Sequence, residues 1–357
     1  MKGVYRMKKA VALLLVLCIS LFAFSGCKKD EKKAKTESDG SKSQKITLVL
    51  EEGEREGKYT GDMQNGVPHG HGKFSSQNPA GVKWTYEGEF KNGKFHGKGT
   101  TTYEDGSFVK GTYENGIILP ITPEEASDAI KNPDEYIGCY AEFVGKVFYT
   151  EKANDILGII IWTDAEKSEN PIAVGINNLD MEIEHGDYIK VRGYITQVVE
   201  NTDYPSMPSK IMAVAANLNN DGLCEIISYK DAVRPALKET EVNQTQTQHG
   251  YSVTLQKIEF AEKETRVFVK VTNNGKAEFS LYDYYSKLIQ GETQYEDEIN
   301  YDADYPEIQT SLVSGCTTEG IIVFPATDSE KEMRIMLEGR SDDYSEDFND
   351  FIFTVTP

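Results

Sequence analysis

The stretch Y-E-G-E-F-K-N-G-K-F-H-G-K-G, residues 86–99, alternates like a β-strand and carries a glycine every few residues. Aromatic residues and glycine alternate with glutamate in its first half, which predicts one aromatic and one charged face. The Asn-Gly dipeptide favours a tight hairpin turn, because both residues tolerate positive φ. Gly97 and Gly99 on the returning strand leave room for rings or backbone to approach. The stretch therefore predicts a β-hairpin built around aromatic rings.

The same pattern recurs along the chain. Y-T-G-D-M-Q-N-G-V-P-H-G-H-G precedes it at 59–72 and V-K-G-T-Y-E-N-G follows at 109–116, with glycines at 61, 88 and 111 spaced by 27 and 23 residues. A period in the twenties indicates stacked repeats. The pattern resembles the MORN repeat family over residues 58–118, with a truncated last copy, and we predict a repeat region that spans 46–118. The face that this resemblance assigns to structure or binding comprises Tyr59, Gly61, Tyr86, Gly88, Phe90, Gly97, Gly99 and Tyr113.

The MORN resemblance implies binding of phospholipids or proteins, and a purely structural spacer is the equal alternative. His69 and His71 look like a metal pair, but His69 occupies the repeat's own histidine position and no third ligand lies nearby. We therefore predict no metal site and no cofactor here.

The N-terminus has a positive start, an apolar run over 10–24 and small residues before Cys27. This pattern is typical of a secretory signal peptide. F-S-G-C at 24–27 resembles the lipobox of bacterial lipoproteins, with Phe24 where leucine is usual. The resemblance implies cleavage after residue 26, a diacylglycerol (palmitate-type) anchor on Cys27 and an extracytoplasmic, membrane-attached protein. An ordinary cleaved signal or a single-span anchor is the alternative.

Residues 27–45 follow the predicted cleavage site and contain no large apolar side chain; seven lysines stand against four acids from residue 28 onward. Such a segment buries too little to fold, so we predict a disordered tether. The whole chain carries a formal charge of −20, and losing the four positive charges of residues 1–26 leaves −24. This acidity disfavours nucleic-acid binding, which requires lysine and arginine to replace counterions.

Residues 119–230 predict a small barrel. Thr122-Pro123-Glu124-Glu125 is a capping box with a proline start, which predicts a short helix. Five β-rich segments follow, and Gly145 and Gly193 suit strongly bent strands. The order Y-I-G-C-Y-A-E-F-V-G-K-V, then G-D-Y-I-K-V-R-G-Y-I, resembles OB-fold domains of bacterial envelope lipoproteins. The 20 acidic and 8 basic residues over 121–233 argue against a phosphate-tracking groove, while sugar or peptide binding remains open.

The sequence N-L-N-N-D-G-L-C-E at 217–225 resembles the start of a calcium loop. Its twelfth position is serine rather than a bidentate glutamate, so a polar turn is the preferred interpretation. The weak Ca²⁺ candidates are Asn217, Asn219 and Asp221.

The polar, Gln/Thr-rich residues 231–249 are predicted to form a linker. Six short strand-like runs over 250–357, separated by turn signals, predict a β-sandwich. The order Y-S-V-T-L, V-F-V-K-V-T-N-N-G and G-C-T-T-E-G-I-I-V-F-P resembles Ig-like or Telokin-like domains of bacterial lipoproteins. An acidic run at 295–307 is interpreted as a solvated loop, with Ca²⁺ binding as the alternative.

Three cysteines remain after the predicted lipid site, at positions 139, 224 and 316. Cys139 and Cys224 bracket the barrel and are candidates to pair; otherwise all three act as small buried hydrophobes.

The chain carries no G-x-S-x-G, H-E-x-x-H or phosphate-loop motif. We therefore predict a non-catalytic surface lipoprotein, mainly β, that acts as an adaptor for a protein or envelope polymer. The alternative is a sensor or capture protein that binds a small molecule, sugar or Ca²⁺ through the barrel or sandwich. Exposed aromatic side chains on one repeat face would favour the adaptor, and a concave pocket with converging polar groups would favour the sensor.

Overall fold

The structure is a computed structural model that describes residues 43–51, 53–153, 156–177, 180–201, 205, 207–216 and 224–357. These residues are mainly β and divide into two compact units, with the boundary between Ile227 and Ser228. The mainly-β fold class predicted from the sequence is therefore confirmed.

The first part of unit one is an antiparallel sheet in simple sequence order, here called the repeat sheet. Its strands are β1 (Gln44–Leu50), β2 (Gly53–Gln64), β3 (Val67–Gln77), β4 (Lys83–Lys91), β5 (Lys94–Tyr103), β6 (Phe108–Glu114) and β7 (Ile117–Leu119). Asn65, Asn92 and Asn115 adopt φ of 52°, 52° and 53°, each followed by a glycine of positive φ. The three Asn-Gly dipeptides thus form the predicted hairpin turns, because both turn residues are left-handed.

A capped helix leads from the repeat sheet into a barrel. Helix α1 (Pro123–Lys131) begins at Thr122, whose side chain accepts from the Glu125 amide while the Glu125 side chain accepts from the Thr122 amide. This confirms the predicted capping box. A four-residue helix, α2 (Pro133–Tyr136), follows.

The barrel has five strands. They are β8 (Tyr140–Ala153), β9 (Ile156–Asp164), β10 (Glu169–Ile176), β11 (Tyr188–Glu200) and β12 (Lys210–Ala216). β12 pairs in parallel with β10 and antiparallel with β11, and these two pairings close the ring. A short strand, β13 (Cys224–Ile227), extends the sheet beside β11. Alternate side chains such as Ile159, Ile161 and Val174 fill the barrel core.

Unit two is two four-stranded antiparallel sheets around one core. Helix α3 (Tyr229–Val233) opens the unit. The first sheet, in spatial order, comprises β14 (Ala236–Gln248), β15 (Tyr251–Ala261), β16 (Glu264–Asn273) and β19 (Thr317–Pro325). The second comprises β18 (Thr293–Glu296), β17 (Phe279–Gln290), β20 (Met333–Ser341) and β21 (Phe351–Val355). Side chains from both sheets share one buried cluster, so the unit is a β-sandwich.

The linker predicted at 231–249 is wrong, because most of it is helix α3 and the edge strand β14. The segment is polar because β14 is an edge strand, which exposes many of its side chains to solvent, and this polarity resembles that of a linker. Gln246 and Gln248 instead form hydrogen bonds with backbone groups next to and within β21. The Gln248 side-chain amide donates to the Asn349 backbone carbonyl at 2.8 Å, and the Ile352 backbone amide donates to Gln246 Oε1 at 3.3 Å. The Gln/Thr-rich segment is thus part of the sandwich.

Cys139 and Cys224 are buried free thiols, so the proposed pairing does not occur. Burial raises the pKa of Cys224 to about 12, with a smaller contribution from Glu225, which keeps this thiol protonated. Cys316 is exposed, which departs from the expectation that all three cysteines are buried.

Candidate functional site

A row of glycines crosses the repeat sheet. The pairs Gly61–Gly72, Gly72–Gly88, Gly88–Gly99 and Gly99–Gly111 are direct cross-strand neighbours from β2 to β6. Directly paired residues lie on the same face of a sheet, so the row is a strip of that face without side chains.

Tyrosine rings lie over this strip. A Cβ on Gly72 would come within 2.5 Å of Tyr59 Cε2, and a Cβ on Gly99 within 2.5 Å of Tyr86 Cε2. Each tyrosine hydroxyl then donates to a backbone carbonyl three residues later in the chain. The second pair repeats the first, so these glycines leave room for the rings, as the sequence predicts. A glycine covered by a tyrosine ring in this way is here called a socket.

Gly97 has a different role from Gly99. It adopts φ +57° and lies against the Glu89 carboxylate, which accepts from the Lys98 amide at 3.2 Å. Gly70 repeats this arrangement with φ +74° and Asp62. Positive φ together with the close carboxylate restricts both positions to glycine.

The predicted aromatic residues form the core of the repeat sheet. Tyr59 and Tyr86 are fully buried, and Phe90 and Tyr113 are 2% and 7% exposed. Tyr86 stacks on Phe95 with centroids 3.8 Å apart. Burial raises the pKa of Tyr59 to about 12, with a smaller contribution from the Asp62 carboxylate, and burial likewise raises that of Tyr86. These four rings are therefore core residues. They do not form the exposed aromatic face that would favour the adaptor function.

The opposite face of the sheet is charged. Lys45 pairs with Glu56 at 2.6 Å, and Lys73 pairs with Glu87 at 3.1 Å. This agrees with the predicted alternation of aromatic and charged faces. All four side chains are well exposed, so these pairs contribute little to stability.

The aromatic face holds an open cleft. The sheet curls until β1 contacts β5 across this face, and Leu48 of β1 joins the aromatic core. The cleft has a volume of about 380 Å³. Its lining residues are Leu50, Glu51, Arg55, Asn78, Trp84, Phe95, Thr101, Tyr103, Val109, Tyr113, Gly116, Ile118 and Tyr194.

Opposite charges line the cleft. Arg55 on β2 is the cross-strand partner of Leu48, so it shares the aromatic face, and exposed Glu51 lies just beyond β1. Trp84 and Tyr103 are directly paired on β4 and β5 and are partly exposed. The cleft therefore combines apolar rings with one cationic and one anionic side chain.

Of the predicted site residues, only Tyr113 lines the cleft. Trp84 lies two residues before Tyr86, and Arg55 four before Tyr59, so strand alternation identifies both as members of the same face. Tyr194 belongs to the barrel strand β11, and no local pattern links it to the repeats.

Other predicted features lie outside the described residues. These are the signal segment 1–26, Cys27, the tether up to residue 42, and the Ca²⁺ candidates Asn217, Asn219 and Asp221. The end of the predicted tether is described, and there the prediction of disorder is wrong, because Gln44 and Lys45 begin strand β1. Within the described ranges, no three or more His, Cys, Asp or Glu side chains are grouped to hold a metal ion. In the same ranges no helix is long and apolar enough to cross a bilayer.

Two parts of the chain match known protein families. Residues 59–78 and 86–108 match the MORN repeat model, which confirms the resemblance for these two copies. Residues 231–348 match a domain of unknown function, DUF4352. A search of curated proteins finds no match to the chain.

Two solved structures are similar to the chain at low scores. One is a functionally unknown protein from Listeria monocytogenes EGD-e, with 8% identity, a TM-score of 0.27, and coverage of 36% of this chain and 93% of that one. The other is a conserved domain protein from Bacillus anthracis, with 6% identity, a TM-score of 0.27, and coverage of 89% and 91%.

Proposed function

We propose that this chain is a non-catalytic lipoprotein, anchored outside the cytoplasm by a diacylglycerol on Cys27, that binds a protein partner through the cleft of the repeat sheet. The observation that carries the proposal is the cleft itself. Tryptophan, tyrosine and arginine are the residue types that most often dominate binding energy at protein interfaces, and Trp84, Tyr103 and Arg55 meet here.

The fixed aromatic core next to the cleft favours binding without rearrangement. Tyr86 is fixed by its socket and its hydrogen bond, and it stacks on Phe95, which lines the cleft. A volume of about 380 Å³ suits one or two side chains of a partner. We infer that the partner inserts an apolar or aromatic anchor, with a carboxylate placed toward Arg55.

The other two modules belong to the same proposal. We infer that the barrel is an OB-fold, because it is a five-stranded barrel with a non-sequential strand order. We infer that the sandwich is Ig-like, because two antiparallel sheets pack around one core. Both then serve as binding or spacing modules at the cell envelope.

The sensor function remains the second candidate, and one observation favours it. The cleft volume lies within the range of small-molecule pockets, and charged side chains meet apolar rings there. A sugar or other small molecule would then replace the partner's side chains.

Site-specific photocrosslinking on living cells tests the adaptor proposal. A photoreactive benzoylphenylalanine replaces Tyr103 in the cleft, and in the matched control it replaces the adjacent, exposed Thr102. The two positions point to opposite faces of one strand. We expect one dominant protein crosslinked from position 103 and absent from position 102, identified by mass spectrometry.

The crosslinked product must also depend on the cleft. Trp84→Ala in the position-103 chain should reduce its yield about tenfold, as expected for an interface hot spot. Equal crosslinking from positions 102 and 103 would contradict the proposal. No protein from either position would favour small-molecule or polymer capture.

A further inference from the structure

Strand β17 of the sandwich contains a large bulge. Tyr282 is paired with Glu338 of β20, but the next pair joins Lys287 to Met336. Four residues of β17, 283–286, therefore stand opposite one residue of β20. A β-bulge leaves residues unpaired and redirects the side chains around it.

The bulge changes which side chains point inward. Before it, Phe279 and Leu281 are buried at odd positions; after it, burial falls on the even positions Ser286, Leu288 and Gln290. Regular alternation would have turned Tyr285 into the core. Instead Tyr284 and Tyr285 are 54% and 55% exposed, and Ser286 is buried.

This arrangement does not improve the core. The Ser286 hydroxyl has no hydrogen-bond partner among the described residues. A buried hydroxyl without a partner destabilises a fold by about 1–3 kcal/mol. Exposure of two adjacent aromatic side chains removes further apolar surface from the core. The bulge thus weakens the sandwich while it presents two rings to solvent.

The exposed rings form a cluster with Tyr282. The ring centroids of Tyr284 and Tyr285 are 4.4 Å apart. The Tyr282 centroid lies 5.8 Å from that of Tyr284 and 6.3 Å from that of Tyr285. The ring planes are inclined to one another by 52° to 69°. Several negative ring faces are therefore presented around one patch, here called the tyrosine bulge (residues 282–285).

Carboxylates surround the tyrosine bulge. Asp283 lies within it, and Glu338 pairs across the strand with Tyr282. Glu338 is partly neutralised by Arg340 at 3.1 Å, whereas within the described residues neither Asp283 nor Asp297 forms an ion pair. Partial burial and the Asp283 charge raise the pKa of Asp297, so these two carboxylates repel each other. A bound cation would relieve that repulsion.

We propose that the tyrosine bulge is a binding site for lysine or arginine side chains, presented by a basic segment of a protein partner. Ammonium and guanidinium groups bind the faces of aromatic rings within about 6 Å of the centroid. One Asp283 oxygen accepts from the Tyr284 backbone amide at 2.9 Å. The negative charges of Asp283 and Asp297 supply charge complementarity and disfavour anionic ligands. This site lies in unit two and does not depend on the cleft of the repeat sheet.

Peptide binding to the purified full chain tests this site. The probe is a fluorescent hexapeptide of alternating lysine and arginine, measured by anisotropy at physiological salt. Tyr284→Ala/Tyr285→Ala should weaken binding about tenfold, whereas Tyr284→Phe/Tyr285→Phe should retain it within about twofold, since phenylalanine keeps the ring face. Asp283→Asn should weaken binding about threefold.

An acidic chain attracts any basic peptide, so a matched control is needed. Tyr301 and Tyr344 are 89% and 97% exposed in the same unit, each beside acidic residues. Tyr301→Ala/Tyr344→Ala should leave binding unchanged. Equal loss in both alanine pairs, or loss in neither, would overturn the proposal by showing general charge attraction. Binding of a neutral glycan that depends on Tyr284 and Tyr285, without peptide binding, would also overturn it.

Discussion

The Tyr86 ring lies directly against the backbone of Gly99, while its hydroxyl donates to the Glu89 carbonyl at 2.9 Å. A methyl group at position 99 would overlap that ring. Because Tyr86 also stacks on Phe95, the ring has nowhere to move without disturbing the aromatic core. Folding of the repeat sheet therefore depends on a residue that has no side chain.

Gly99→Ala should destabilise the repeat sheet by about 1–3 kcal/mol, the usual range for overpacking a tight site. Thr100→Ala, on the opposite face of the same strand, should change stability by less than about 1 kcal/mol. Urea denaturation followed by tryptophan fluorescence measures both, since Trp84 packs against Phe95. Equal effects of the two substitutions would contradict the socket interpretation.

Arg266 should be the most sensitive charged residue of the sandwich. It is fully buried and contacts Glu259 and Glu264, at 2.8 and 2.7 Å. Arg266→Met leaves the buried Glu264 carboxylate without its cation, while Glu259 keeps Lys257 at 2.8 Å. The substitution should destabilise unit two by about 3–5 kcal/mol. The exposed pair Arg340–Glu338 provides the control, because Arg340→Met should cost less than about 1 kcal/mol. Thermal and urea unfolding of the chain measure the difference.

The same cluster predicts loss of stability in acid. Burial alone would raise the pKa of Glu259, but hydrogen bonds from Lys257 and Arg266, together with their positive charge, outweigh it and the pKa is lowered. A carboxyl whose folded pKa is lowered stabilises the fold above its unfolded pKa, and that contribution is lost as pH falls through the folded pKa. We expect unfolding free energy to fall below about pH 4.

Substitution separates Glu259 from the other carboxyls. Glu259→Gln should be most destabilising near neutral pH, and its difference from the unsubstituted chain should shrink as the pH falls below about 4. The exposed Glu292→Gln should show no such convergence. Urea unfolding at a series of pH values measures both, and parallel curves for Glu259→Gln would show that this residue is not involved.

Local sequence signals predicted the local structure well. The three Asn-Gly turns, the Thr122 capping box and the five barrel strands are present where alternation and turn chemistry place them. The features that the sequence did not predict depend on distant partners. The parallel pairing of β10 with β12 and the position of Tyr194 in the cleft come from tertiary packing, which no short pattern encodes.

Strand β14 shows why one prediction was wrong. Its glutamines look like linker residues in the sequence, yet in the structure they replace backbone partners for β21. Gln246→Ala/Gln248→Ala should therefore destabilise unit two by about 2–3 kcal/mol, near the sum for the lost hydrogen bonds. Gln244→Ala, at an exposed position of the same strand, should cost less than about 1 kcal/mol. Hydrogen exchange at the Asn349 and Ile352 amides should accelerate only in the first variant.

The membrane anchor is a prediction from the sequence and has a direct test. A lipobox cysteine carries the diacylglycerol, and two acyl chains are needed for stable attachment. Cys27→Ala should lose incorporation of a clickable palmitate and should either enter the medium or remain with its signal uncleaved. Cys18→Ala, within the apolar run, should keep both label and membrane attachment. Fractionation and mass spectrometry of the N-terminal peptide distinguish these results, and a Cys27→Ala chain that stays labelled on the membrane would exclude Cys27 as the anchor.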